Sequence, residues 1–538
     1  MSRWKLAFLL LAATTLTTKV YRADSDLEAK SNTSKPMTTH PFEGDADEEG
    51  GSSEVKSEVF SDDFGHCALG MESPCADDDE GGEWASEGYC FTKEPKPPVG
   101  FAAMTPYSAA LTRYLSAGSV TPEGCQPVQL WHLIRHGSRS MHKIDFARME
   151  SQLPPLRRMI LKAHGIGSGL LCAEDLALIR EWTPQMMDMG KTGVLTPEGR
   201  AEIRGIASRF KDVFQKLVYK PYFFEKSPSE NARQRPGEGT EISFAPSFSS
   251  YDSAVTYLET LYGRRWGHVG LPVIGSPKLQ YFDLCSNYIN KVVARSKMRK
   301  PFHTFIKGKI MEAVLRRVSR RLGVTMTITR VRTMYNACQY QNAWNPKVPS
   351  PWCAAFTPRD LEVLEHWEDL RIYHDLGYAH SITYKQACGL GSDFFSRFRN
   401  HVENNKTDID STTYFANLEA TVPFLTLLGL FNDTEPLNDK VVNRDRQWKT
   451  SRFAGYGSNL AMVLSSCRDK SWWVSALLNE ESIKLPGCED PLGCPWDKFM
   501  EQFAYLEKCN FTRLCGEITR RLWHTQYWRT HYVINNWM

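Results

Sequence analysis

Apolar positions along the chain follow two rhythms. Short runs of aliphatic, aromatic and β-branched residues end in turn residues and read as strands. Between them lie longer stretches in which apolar side chains return every three or four positions, as on one face of a helix. The first clear run is Val128-Gln-Leu-Trp-His-Leu-Ile-Arg135, a strand that ends where Gly137 turns the chain. Helical spacing covers residues 143–188, with Pro154-Pro155 expected to break it. Leu195-Thr-Pro-Glu-Gly-Arg200 reads as a helix start, with Thr196 as cap and Pro197 in the first turn, and the helix should run to about Leu217. Residues Glu241 to Ser250 read as a second strand and turn, and Tyr251 to Tyr262 as the helix after it. Further helices are expected over Tyr288 to Leu322, over Thr357 to Gly377 with Thr357 as cap, within 380–412, and over Pro423 to Phe431. Thr413 to Ala416 is a short strand, and another strand-helix pattern lies near Arg452 to Cys467.

Strands followed by helices predict an α/β fold with a central sheet flanked by helices. The helix-rich middle predicts a helical cap inserted at residues 266–380, which leaves a discontinuous core of 85–265 and 381–515. Residues 1–23 read as a signal peptide: Arg3 and Lys5 precede Leu6 to Ala13, an apolar run too short to span a bilayer. An uncleaved anchor is the alternative; after cleavage no transmembrane anchor is expected. Residues 24–84 are acidic and poor in apolar residues, hence expected to be largely disordered, and 516–538 form a tail.

Composition narrows the partners. The 538 residues carry a net charge of only +3, which gives no support for nucleic-acid binding. Any attraction for anions must be local. The basic residues between Tyr288 and Leu322 are either a solvated face or a steering surface. Fourteen cysteines agree with an oxidising compartment and allow seven bridges, with connectivity open. Cys488, Cys494, Cys509 and Cys515 are spaced too loosely for zinc, so bridges are favoured. Asn32, Asn405, Asn432 and Asn510 sit in glycosylation sequons. The chain ends Asn535-Asn-Trp-Met538, without a Lys-Asp-Glu-Leu type signal. A secreted or lysosome-like route is therefore favoured over retention in the endoplasmic reticulum lumen.

The chemistry concentrates in Arg135-His136-Gly137-Ser138-Arg139. A histidine at a strand's carboxyl end lies where α/β sheets bind ligands. Arginine grips phosphate oxygens in pairs, and a histidine between two arginines can attack phosphorus. A solvated basic turn is the plain alternative. Such a nucleophile needs an acid for the leaving oxygen. Glu419 is the candidate, since it follows a strand and precedes an apolar helix, although the helix dipole alone favours an acid there.

The motif resembles the histidine acid phosphatases. The longer resemblance is to multiple inositol polyphosphate phosphatases, over about residues 85–515. It is carried by Gly88-Tyr-Cys90, Val128 to Arg139, Met334 to Cys338, Ser350-Pro-Trp-Cys353, Phe415 to Phe431, Tyr456 to Cys467 and Leu477 to Glu480. It implies that His136 is the phosphorylated nucleophile, Arg135 and Arg139 bind phosphate, and Glu419 is the proton donor of the family's His-Ala-Glu. It also implies no metal and no cofactor, and small phosphate esters, inositol polyphosphates above all, as partners. Three departures stand out. Asn417 replaces the family's phosphate-contacting His, Met141 replaces a Pro, and Ser247-Phe248-Ser249 stands where the family has a basic cluster. His132, His142 and Lys143 are candidates to replace the lost contacts, although His132 alternates within its strand and reads rather as a packed or half-exposed residue. The expected function is a secretory-pathway phosphomonoesterase acting through a phosphohistidine, with reduced or altered activity. The alternative is a pseudo-phosphatase that binds phosphate ligands or serves as a scaffold.

Overall fold

The computed structural model describes residues 88–93, 100–111, 114–116, 120–187, 190, 192–219, 239–263, 273–274, 276–294, 300–404 and 409–516, all within one compact unit. The expected signal peptide, the acidic segment, the tail beyond residue 516, Asn32 and Asn405 lie outside the described residues.

Eight strands form one mixed sheet: β1 (Cys125–Arg135), β2 (Gly239–Phe244), β3 (Val273–Ile274), β4 (Ile409–Ala416), β5 (Asn459–Cys467), β6 (Trp472–Leu478), β7 (Glu481–Ser482) and β8 (Cys494–Pro495). Their order is β3-β2-β4-β1-β5-β6-β7, with β8 on β6. Strands β1 to β4 run parallel, whereas β5 to β8 pair antiparallel. The expected central sheet flanked by helices is therefore present.

From Gln129 onward β1 is buried on both faces. Trp131 and Leu133 enter a core shared with Met149, Leu153 and Phe424. Leu130 and Ile134 enter a second core with Ile203, Phe210 and Tyr257. His132 shares that second face. It is fully buried, stacks on Phe210 with ring centroids 4.0 Å apart, and bonds Asn459 Oδ1 at 3.1 Å. Burial pulls its pKa down to about 3. His132 is thus a packed core residue and replaces no lost contact.

Several helices follow their sequence signals. Pro197–Val218 is capped by Thr196 Oγ1, which accepts from Gly199 N, and Pro358–Leu376 starts with a capping box between Thr357 and Asp360. Three expectations fail. The helix Lys143–Gly165 runs through Pro154 and Pro155 without a break. Its buried stripe, Met149, Leu153, Leu156 and Ile160, outweighs the two missing N–H donors. The helix after β4 is Leu418–Leu427, so Pro423 lies inside it and not at its start. Near residues 450–467 the order is reversed: a short helix, Thr450–Phe453, precedes β5, and β5 turns back into β6.

Among the described residues, six disulfides join Cys90–Cys172, Cys125–Cys467, Cys285–Cys515, Cys338–Cys353, Cys388–Cys509 and Cys488–Cys494. All four cysteines of the C-terminal group are bridged, and Cys125–Cys467 links paired positions of β1 and β5. Among the described residues, no helix is long and apolar enough to cross a membrane.

Candidate active site

The parallel registers decide where the chemistry gathers. Arg135 lies opposite Ala416, and Phe244 opposite Phe415, so β1, β2 and β4 end at one edge of the sheet. The ladder continues past the strands: His136 N donates to Ala416 O at 3.0 Å, and Ala245 N to Phe415 O at 2.8 Å. His136, Ser247 and Asn417 therefore all leave the sheet at the same edge, each within three residues of a strand end.

Gly137 lets the loop after β1 lie against the next helix. A Cβ on Gly137 would stand 2.5 Å from Gly199 O, and one on Gly199 would stand 2.0 Å from Ser138 O. Glu202, one turn further along that helix, accepts from Ser138 N at 2.7 Å, from Ser138 Oγ at 3.0 Å and from Tyr107 N at 2.8 Å. Burial pushes its pKa up to about 7. The sequence reading missed Glu202. Its only local signal is a carboxylate on the helix's buried stripe, between Gly199 and Ile206.

His136 is buried, with Nδ1 2.9 Å from Gly137 O. A carbonyl oxygen only accepts, so Nδ1 must carry the proton, and Nε2 keeps its lone pair. Burial, reinforced by Arg135 and then Arg139, holds the imidazole pKa well below its usual value. The ring is thus neutral and nucleophilic rather than cationic.

The two arginines are held differently. Arg135 is buried and donates through Nη1 to Ala103 O and to Ala454 O, while its guanidinium lies 4.6 Å from the Tyr456 ring centroid. Its Nε has no partner among the described residues. Burial lowers its pKa to about 10, which still leaves it charged at neutral pH. Arg139 is half-buried; its Nη1 donates to Ser140 O at 3.0 Å and its carbonyl accepts from the Trp344 indole at 2.9 Å.

Asn417 occupies the N-cap of Leu418–Leu427 but its side chain does not cap the helix. Its Oδ1 instead accepts from Ser247 Oγ at 3.0 Å and Ser250 Oγ at 3.2 Å. Glu419 is exposed in the first turn of that helix. His136, Arg135, Arg139, Asn417 and Glu419 all line one cavity of about 1060 Å³, together with Ser247, Ser249 and His142. Lys143 is exposed and does not line it, and Met141 is buried in the core.

A second wall comes from the helices Ile328–Trp344 and Pro358–Leu376 and presents Arg332, Asn336, Gln339, Tyr340, Glu368 and Arg371. Arg371 Nε lies 2.9 Å from Glu368 Oε2, and that carboxylate raises the Arg371 pKa. Arg332 lies 5.6 Å from the Trp367 ring centroid. The sequence reading missed both arginines, because nothing local separates them from ordinary surface charges on a helix. The basic stretch it did single out has a different place. Arg321 pairs with Asp175 at 2.7 Å in full burial and Arg317 with Asp360 at 2.8 Å, and no described basic residue between 288 and 322 lines the cavity.

Residues 275–479 match the histidine phosphatase superfamily (branch 2), a span that includes Arg371 and Glu419 and begins after His136. The chain is similar to multiple inositol polyphosphate phosphatase 1 of Drosophila melanogaster, 25% identical over 464 residues that cover 80% of this chain and 90% of the relative. It is similar to the Homo sapiens protein of that name, 26% identical over 474 residues, 79% of this chain and 92% of the relative. Among solved structures it is similar to the phytase from D. castellii, with TM-score 0.60, 14% identity and coverage of 78% and 87%. Bifidobacterium longum multiple inositol polyphosphate phosphatase in complex with inositol hexasulfate gives TM-score 0.52, 16% identity and coverage of 72% and 93%. At these identities the solved structures establish the fold. The resemblance read from the sequence motifs is borne out.

Proposed function

From a chain that carries a histidine phosphatase superfamily (branch 2) match and resembles multiple inositol polyphosphate phosphatases, we propose a phosphomonoesterase that hydrolyses inositol polyphosphates through a phosphohistidine. The observation that carries this reading is the state of His136. It is a neutral imidazole with Nδ1–H committed to Gly137 O and Nε2 free, beside two guanidinium groups.

Nε2 attacks the phosphorus of a bound ester, and a P–N bond forms as the P–O bond breaks. The leaving oxygen takes the departing electron pair and a proton from Glu419. The positive charge that develops on the ring is stabilised by the Nδ1–H···O bond to Gly137. Glu419, now a carboxylate, then takes a proton from a water that attacks the phosphohistidine; a P–O bond forms as the P–N bond breaks, its electron pair returns to Nε2, and inorganic phosphate leaves. Arg135 and Arg139 neutralise the phosphoryl oxygens throughout, which is the main requirement of a loose phosphoryl transfer.

Arg332 and Arg371 on the second wall support a substrate that carries several phosphates. Such a substrate can bind cations on both walls of the cavity while one phosphate is transferred. Six disulfides among the described residues support a place in the secretory pathway.

Asn417 also favours a second reading, a catalytically impaired binder or scaffold. A contact to a charged partner contributes about 1.5–3 kcal/mol, and a neutral amide gives back only part of it. One experiment separates the two: phosphate release from phytate and from a simple aryl phosphate by purified protein, beside a His136→Ala control. The enzyme reading expects wild-type release at least about a thousandfold above the control. Equal, slow release from both proteins leaves the binder.

A further inference from the structure

The geometry points to a role for two serines, one of them in the stretch that replaces the family's basic cluster: Ser247 and Ser250 are positioning residues that hold the Asn417 amide as a two-proton donor toward the phosphoryl group bound beside His136. The inference rests on the function proposed above.

The proton count is the first support. Asn417 Oδ1 lies within hydrogen-bond reach of two hydroxyls, Ser247 at 3.0 Å and Ser250 at 3.2 Å. Ser247 Oγ accepts the Ser250 N–H at 3.3 Å and has one proton, shared between Ser250 Oγ at 2.9 Å and Asn417 Oδ1; when it turns to Ser250, the Ser250 hydroxyl still donates to Oδ1. With Oδ1 engaged from the serine side, the two protons of Nδ2 are left for the cavity that Asn417 lines. No hydrogen bond within the described residues takes them.

The second support is what Asn417 does not do. An Asn at an N-cap ordinarily turns its side chain onto the helix's own N–H groups, which stabilises the helix by about 1 kcal/mol. Here the side chain makes no such bond. It is drawn across to the loop after β2, although a serine or a shorter residue could have served as a cap. The third support is rigidity. Ser250 is fully buried and Ser247 is fixed as the N-cap of the helix Phe248–Tyr262, so the two hydroxyls sit on well-anchored backbone.

A neutral donor that is already oriented loses little entropy when phosphate binds, which recovers part of what a charged group would contribute. An amide also does not titrate, so the donor at this position keeps the same charge at every pH, whereas an imidazole there would change charge near pH 6.5.

The test uses the full chain and two probes, inorganic phosphate in calorimetry and phytate in turnover. Ser250→Ala should weaken inorganic phosphate binding and raise the KM for phytate about threefold to tenfold, the value of one neutral hydrogen bond. Asn417→Leu should do at least as much, and Ser250→Ala should add nothing on the Asn417→Leu background. Ser247→Thr, which keeps the hydroxyl and the cap, should retain affinity where Ser247→Ala loses it. Unchanged phosphate affinity in Ser250→Ala overturns the inference. So does an equal loss from Ser250→Ala with and without Asn417, which would mark a merely structural effect, and so does wild-type protein that binds no phosphate. Calorimetry needs no turnover, so an inactive wild type with Ser250-dependent phosphate binding would remove the enzyme reading and leave the amide lock standing.

Discussion

The two walls of the cavity are built on different principles. On the sheet side, His136, Ser247 and Asn417 leave β1, β2 and β4 within three residues of a strand end, and backbone bonds fix them in register. Their side chains meet protein partners: His136 meets Gly137 O, Arg135 meets Ala103 O and Ala454 O, and Asn417 meets two serines. On the helical side, Arg332 is exposed and Arg371 is shared with Glu368. The polar groups of the sheet wall are thus held by protein partners, while the helical wall offers charge that water partly screens. The difference suggests a division of labour, with chemistry on the first wall and choice of substrate on the second.

The largest effect should come from the acid. Glu419→Gln should slow phytate release by about 10²–10⁴-fold but spare an aryl phosphate with a good leaving group, because only the poor leaving group needs the proton. Equal slowing of both substrates would remove Glu419 from the donor role.

The next effect lies in the foundation of the sheet wall. The Glu202 carboxyl is raised from its ordinary value of 4.5 to about 7 by burial. A group raised in the folded state binds its proton more tightly there. Its contribution to stability is therefore complete below pH 4.5 and is lost as pH rises through 7. Denaturant unfolding should show up to about 3 kcal/mol of this loss between pH 4.5 and 7.5, because each tenfold difference in proton affinity is worth about 1.4 kcal/mol. Glu202→Gln should flatten that part of the profile. A profile unchanged by the substitution would mean that Glu202 titrates normally.

The smallest effect should belong to the helical wall. Arg332→Ala and Arg371→Ala should each raise the KM for phytate about threefold to tenfold, as for partly exposed phosphate contacts, and leave the aryl phosphate nearly untouched. A fall in kcat on the aryl phosphate would instead place these arginines in the chemistry and erase the contrast between the walls.

The same contrast explains what could be read from the sequence. The sheet wall was legible because its positions are set locally: an apolar strand, then Gly137, and a helix start marked by Thr196 and Pro197. His136, Arg135, Arg139 and Glu419 follow from such signals, Asn417 from the family resemblance, and all five line the cavity. The helical wall was legible as helices but not as a wall. Which turn of Pro358–Leu376 faces the cavity depends on tertiary packing, so Arg371 looked like any helix charge, while the conspicuous basic run at 288–322 is partly spent on pairs such as Arg321–Asp175. The Pro154-Pro155 break failed for a related reason. A local rule about missing N–H donors yielded to the burial of Met149, Leu153, Leu156 and Ile160. Ser250 and Glu202 carry no sequence signal of their own beyond a polar residue on a buried helix face.

The proposed reaction turns on a covalent bond from the neutral His136 Nε2 to phosphorus. The direct measurement is the mass of Glu419→Gln protein quenched in alkali during turnover of an aryl phosphate, followed by peptide mapping. The account predicts one added phosphoryl group on the peptide that contains His136, absent from the His136→Ala protein. Continued phosphate release with no adduct, or an adduct on another residue, would contradict it.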